Sequence, residues 1–212
     1  MEGFDLLAVG LGMFFGVHLI SGIHELRTPV TAIMGQAGYR MTHALFAIGG
    51  LVLVGMGYAD APFVPLYEPP SWGASITLLV MPVAIIFLIG GHLSKDIKRV
   101  TRHPMLWGIT LFSALHLLAN GDKAAVMIFA PFLVYGLLAM WLTDRKKRLG
   151  DAEGWEKDSR QTSVFPFVAM RQGRAGPPAG DKGLKAVLIG LVVYILLAYG
   201  HQWLIGVALP IG

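Results

Sequence analysis

Arg102-His103-Pro104-Met105-Leu106-Trp107-Gly108 opens, and Leu115-His116-Leu117-Leu118-Ala119-Asn120-Gly121-Asp122 closes, the segment whose reading decides the fold. The residue before a proline avoids the helical region, and proline suits the first helical position, so a helix starts at Pro104. Asn120-Gly121-Asp122 favours a tight turn and ends it. Between these signals the residues are almost all apolar, with His116 set among them. An ionisable group inside a hydrophobic span is costly and marks a functional site by default.

Composition extends this reading to the whole chain. Of 212 residues, 55% are hydrophobic and 14% charged, and the mean hydropathy is +0.62. A soluble domain carries about a quarter charged residues, so lipid is the expected solvent and membrane lipid an expected partner. Six runs, near 5–24, 42–58, 74–93, 103–119, 124–142 and 184–203, are long enough to cross about 30 Å of hydrocarbon. The expected fold is all-α, an integral membrane bundle of six transmembrane helices forming one domain over 1–212. The first run lacks the positive start of a signal peptide and reads as a retained helix.

Charge sets the orientation. Arg27 and Arg40, then Lys95, Lys98, Arg99 and Arg102, then the nine from Arg145 to Lys182, and Lys185, make 16 of the 17 basic residues on one side; Lys123 alone faces the other. By the positive-inside rule that side is cytoplasmic, and both termini are periplasmic. An even number of spans requires the same. The expected location is a bacterial inner membrane, with 143–183 as a cytoplasmic loop. That loop is either solvated or laid on the membrane surface through Trp155 and Val164-Phe165-Pro166-Phe167. The loop 59–73, rich in proline and aromatic residues, should be ordered at the outer interface. Nothing in the pattern suggests nucleic-acid binding.

The sequence has no cysteine. That excludes disulfides, iron–sulfur clusters and covalent Cys-x-x-Cys-His haem attachment. Any metal must use His, Met, Asp, Glu or backbone groups, and histidine is the informative type. His24, His43, His92 and His103 fall at cytoplasmic ends, where an imidazole can meet water. His18, His116 and His201 lie within spans or near outer ends. On a helix, His18 would share its face with Ser21 and Glu25, and His116 with Ser113 and Asn120. Gly12 and Gly16 form a small-xxx-small pair suited to close helix packing. His103 and His116 are thirteen residues apart, roughly 20 Å along a helix, and cannot share one metal. His116 therefore needs a partner on another span, His18 or alternatively His201.

Two neutral imidazoles facing across an apolar gap can hold a non-covalent b-type haem. Ser21, Ser113 or a backbone carbonyl would then accept the second ring N–H. The same pair could serve proton transfer or bind a lipid-like ligand. Arg102 and His103, beside a helix N-terminus and near Lys98 and Arg99, read as an anion site for a headgroup, a haem propionate or a cofactor carboxylate. Their other reading is that the cations only enforce topology.

The residues resemble the NnrU family, which is related to plant 15-cis-zeta-carotene isomerase. The likeness runs through Phe15-Gly16-Val17-His18, Gly38-Tyr39-Arg40, Pro69-Pro70-Ser71-Trp72, Arg102-His103-Pro104-Met105, His116 to Asp122, Asp144-Arg145, Thr162-Ser163 and His201 with Trp203 to Val207. It implies a membrane protein associated with nitrite and nitric oxide metabolism. It also implies a b-type haem on His18 and His116, an apolar small-molecule substrate and redox or isomerase-type chemistry. The region near Tyr58 and Asp60 lacks a further histidine of the isomerase. For His18 and His116 to reach one iron, the Asn120-Gly121-Asp122 turn must be sunk into the membrane. Arg-His-Pro also occurs in membrane isoprenylcysteine methyltransferases, which leaves an S-adenosylmethionine enzyme as an alternative, with Arg102 and His103 at the cofactor. A non-catalytic assembly factor for respiratory enzymes is the third reading.

Overall fold

The computed structural model describes residues 2–176 and 181–209, and for Asp181 the backbone alone. The chain runs through helices α1 (Gly3–Gly22), α2 (His24–Asp60), α3 (Gly73–Leu93), α4 (Ile97–Val100), α5 (Pro104–Ala119), α6 (Lys123–Gly150), α7 (Ala152–Gln161), α8 (Val168–Arg171) and α9 (Asp181–Ile205). Five of them, α1, α2, α3, α6 and α9, are long and apolar enough to cross a membrane. The sixth expected span, α5, has 16 residues, about 24 Å against a hydrocarbon core of about 30 Å.

Neighbouring spans pack antiparallel. Gly3 of α1 abuts Ala61 after α2, and Gly108 of α5 abuts Ala84 and Leu88 of α3. α6 packs on α5 and α1, and α9 on α3. One core cluster joins Leu7, Leu11, Val54 and Ala124; another joins Met81, Ala84, Ile85 and Leu115. Lipid is as apolar as these side chains, so close van der Waals packing has to hold the helices together. At the α1–α2 crossing the close approach runs through Gly10 and Gly50, where a Cβ on Gly10 would sit 2.6 Å from the Gly50 carbonyl. The expected packing pair, Gly12 and Gly16, faces open space instead. The glycine spacing was real, but the packing face is the one through Gly3 and Gly10.

Three other expectations change. α1 ends at Gly22 because Ile23 is extended (φ −95°, ψ 113°), so Glu25 starts α2 and leaves the face of His18 and Ser21. α2 is broken at Gly35, whose backbone (φ 71°, ψ 165°) is one that glycine adopts without penalty. The segment 143–183 is not a plain loop: α6 continues to Gly150, and α7 and α8 follow. It also docks on the bundle. Arg102 N–H donates to Ser163 O (2.7 Å), Phe167 N–H to Val100 O (2.7 Å), and Trp107 Nε1–H to Val164 O (2.7 Å). Most of Gly176-Pro177-Pro178-Ala179-Gly180, a break expected before the last span, lies outside the described residues.

The opposite end is ordered as expected. Asp122 caps α6, accepting from Ala125 N–H at 3.0 Å. The 61–72 loop covers the Asn120-Gly121-Asp122 turn: Leu66 and Tyr67 N–H donate to Gly121 O (2.8 and 3.1 Å), and Lys123 N–H to Val64 O (2.8 Å). Tyr67 Oη–H also donates to Leu117 O and to Asn120 O. Backbone groups without water must find partners within the protein, and this loop supplies them for a short α5. A Cβ on Gly121 would overlap the Tyr67 carbonyl. Gly121→Ala is therefore expected to cost about 2 kcal/mol by overpacking, read as a lower thermal midpoint in detergent.

Candidate functional site

The site is built where α1, α5, α6 and α7 diverge. A cavity of about 860 Å³ lies there, walled by Phe14 and His18 of α1, Leu106 and Ile109 of α5, Phe132 and Tyr135 of α6, and Trp155 of α7. Its deeper walls are apolar and aromatic. Its charged end carries Lys146 and Lys147 together with Asp151 and Asp158. Lys146 Nζ donates to the Ser21 carbonyl (3.1 Å), and Lys147 pairs with Asp158 (3.3 Å). The volume falls in the range of small-molecule sites, about 300–1,000 Å³.

His18 sits on this wall with its tautomer set by geometry. Its Nδ1 lies 2.7 Å from Phe14 O. A carbonyl only accepts, so Nδ1 carries the hydrogen and Nε2 keeps its lone pair. His116 repeats the arrangement, with Nδ1 2.8 Å from Phe112 O. In both cases the acceptor is the backbone carbonyl one turn back. Of the expected serine acceptors, Ser21 borders the cavity, and Ser113 is buried in α5 at 1% exposure. Asn120 donates its amide N–H to His116 O (2.9 Å), which closes the end of its own helix.

His18 and His116 stand on one aromatic ladder without meeting. His116 stacks on Phe129 (4.3 Å between ring centres) and on Phe112 (4.2 Å). His18 stacks on Phe14 (4.1 Å) and meets Tyr135 edge-on (6.0 Å). Phe129 and Tyr135 are six residues apart on α6, a rise of about 9 Å between these two contact points. His116 is not among the residues lining the cavity. The imidazole in ring contact with His18 is His43 of α2, at 4.8 Å. His201, the alternative partner of His116, lies close enough to it to interact electrostatically, while its own Nδ1 donates to Val207 O (2.8 Å).

Arg102 and His103 do not form an open anion site. Their anion is Asp144 of α6: Arg102 Nη1 lies 2.6 Å from Oδ2, and His103 Nε2 lies 2.8 Å from Oδ1. The three side chains are 8%, 4% and 14% exposed. Arg102 Nε–H also donates to Thr162 Oγ1 (2.9 Å), and the guanidinium lies 4.5 Å over the Trp155 ring. A carboxylate oxygen accepts, so His103 donates its Nε2–H to Asp144. The cluster ties α5, α6 and the 162–168 segment together and holds Trp155 at the cavity wall. Asp144 carried a signal in the sequence, as the acid that interrupts an apolar span just before Arg145-Lys146-Lys147-Arg148.

The chain is 33% identical over 82 residues to "15-cis-zeta-carotene isomerase, chloroplastic" of Zea mays, covering 39% of this chain and 22% of that protein. It is 32% identical over 99 residues to the protein of the same description from Arabidopsis thaliana, covering 46% and 27%. The matched region thus spans about a quarter of these relatives. No solved structure matches the chain. The family model described as "NnrU protein" matches residues 6–209, and the chain belongs to the NnrU family.

Proposed function

We propose that this protein is an isomerase-type enzyme of the bacterial inner membrane, crossing it six times with both termini periplasmic and acting on an elongated apolar molecule. The observation that carries the reading is the cavity between α1, α5 and α6, apolar within and bordered by an imidazole whose Nε2 has its lone pair free. The plant relatives, named for a carotene isomer, favour an apolar substrate of extended shape. Trp155 and the paired Lys147 would close the cavity's charged end, while Phe14, Ile109 and Phe132 line its length.

We further propose haem b as the cofactor, which His18 and His116 would hold. The donor chemistry fits: each ring gives its Nδ1–H to a backbone carbonyl, the outer-sphere contact that orients a ligating imidazole. His18 borders the cavity directly; His116 matches it in tautomer and aromatic surroundings but does not line the cavity. When bound, haem would supply an iron that changes redox state. The chain's own residues orient the imidazoles, exclude water with the aromatic ladder and set the shape of the substrate channel. We set this activity in nitrite and nitric oxide metabolism, as the family resemblance suggests.

The test is a visible-absorption spectrum of protein purified after expression with ample haem. A Soret band that shifts on reduction is expected; its absence in both redox states overturns the cofactor. The cavity has its own test. Ile109→Trp is expected to weaken polyene binding at least ~10-fold, the equivalent of about 1.4 kcal/mol, in a fluorescence-quenching titration. Unchanged binding would put the substrate elsewhere.

A further inference from the structure

Among the described residues, three side-chain polar atoms are buried without a hydrogen-bond partner: Thr31 Oγ1, Tyr39 Oη and His43 Nδ1. All belong to α2. Tyr39 and His43 are one turn apart on one face, with ring centres 6.1 Å apart. His43 in turn stands against His18. An unpartnered buried polar atom costs about 1–3 kcal/mol, and two on one face beside a free imidazole lone pair call for a common ligand.

The ring spacing indicates the ligand class. Two imidazoles holding one first-row metal ion, with nitrogens at about 2.0–2.1 Å, place their ring centres roughly 4.5–5.2 Å apart at cis angles. Trans ligands of one ion would stand roughly 6.4 Å apart. The 4.8 Å separation of His18 and His43 therefore suits a cis pair and leaves no room for a porphyrin between the rings. Imidazole nitrogen suits zinc, copper, iron and nickel. An ion could enter through the cavity that His18 borders.

We propose that His18 and His43, with the Tyr39 phenol as a third donor, form a binding site for a divalent first-row transition-metal ion in the haem-free protein. The site uses His18 through its Nε2, because Nδ1 is committed to Phe14 O. His43 contributes a nitrogen from the adjacent helix, so the ion would clamp α1 to α2. Haem and this ion would compete for His18. The inference does not depend on the haem reading, and the two fail separately.

Cobalt(II) titrated into haem-free protein in detergent, followed by its visible ligand-field absorption, tests the site. Saturation at about one ion per chain is expected. His43→Ala and His18→Ala should each weaken binding at least ~10-fold, the scale of losing a metal-site contact, and Tyr39→Phe should shift the absorption. His24→Ala, which removes an exposed histidine at the start of α2, should leave the titration unchanged. No saturable binding to the unmodified protein overturns the inference without reference to any variant. So does equal affinity in the protein and its His43→Ala variant. A Soret band with no cobalt site would support haem and sink this proposal; cobalt binding with no Soret band would do the reverse.

Discussion

Asp144→Ala is expected to destabilise the protein by about 3–5 kcal/mol, the range for removing one partner of a buried ion pair. The size follows from what is left behind. Arg102, 8% exposed, keeps its contacts to Thr162 and Trp155 but loses its carboxylate, and His103 loses the acceptor for Nε2–H. At roughly 2–4 °C per kcal/mol for a chain of this size, the thermal midpoint should fall by roughly 10 °C. Asp144→Asn keeps an oxygen acceptor and should lose less. The loss should also be local. Limited proteolysis is expected to cut first between α7 and α8, since the cluster holds Thr162 and Trp155 in place. A melting curve unchanged in Asp144→Ala would show that Arg102 and His103 find water or another partner.

His18→Ala should abolish haem retention, and His116→Ala should turn a bis-histidine spectrum into one with a single nitrogen ligand. The asymmetry comes from the geometry, since His18 borders the cavity and His116 does not. With one imidazole gone, the Soret maximum and reduced-state bands should move. If both variants keep the parent spectrum, the iron is held elsewhere. If His116→Ala is silent and His201→Ala is not, the ligand on that side is His201. Protein yield and size-exclusion profile control for folding, because neither imidazole ties distant helices by a hydrogen bond of its own: each bonds to its own helix.

Five of the six expected spans were legible because lipid imposes a simple rule, that an apolar run must be long enough and its backbone must satisfy itself. The start at Pro104 and the turn at Asn120-Gly121-Asp122 fell where their local chemistry put them. What escaped was set between elements far apart in the chain. Ile23 is an ordinary apolar residue, and nothing around it announces an extended backbone. Asp144 answers Arg102 across 42 positions, and periodicity carries no such pairing. His43 read as a histidine meeting water at a span end. Only the packing of α2 on α1 puts it beside His18 with Nδ1 buried. The acceptors for the His18 and His116 ring N–H were anticipated as serine or carbonyl, and the structure selects the carbonyl.

The cover over the Asn120-Gly121-Asp122 turn bears on the order in which the chain can mature. The 61–72 loop emerges early, yet its Leu66 and Tyr67 amides find their acceptor only in Gly121, and Val64 O finds its donor only in Lys123. A nascent chain that has inserted its first helices must therefore hold that loop open until the hairpin of α5 and α6 arrives. These hydrogen bonds join the first half of the chain to the second, so none of them can form before Gly121 and Lys123 have been made.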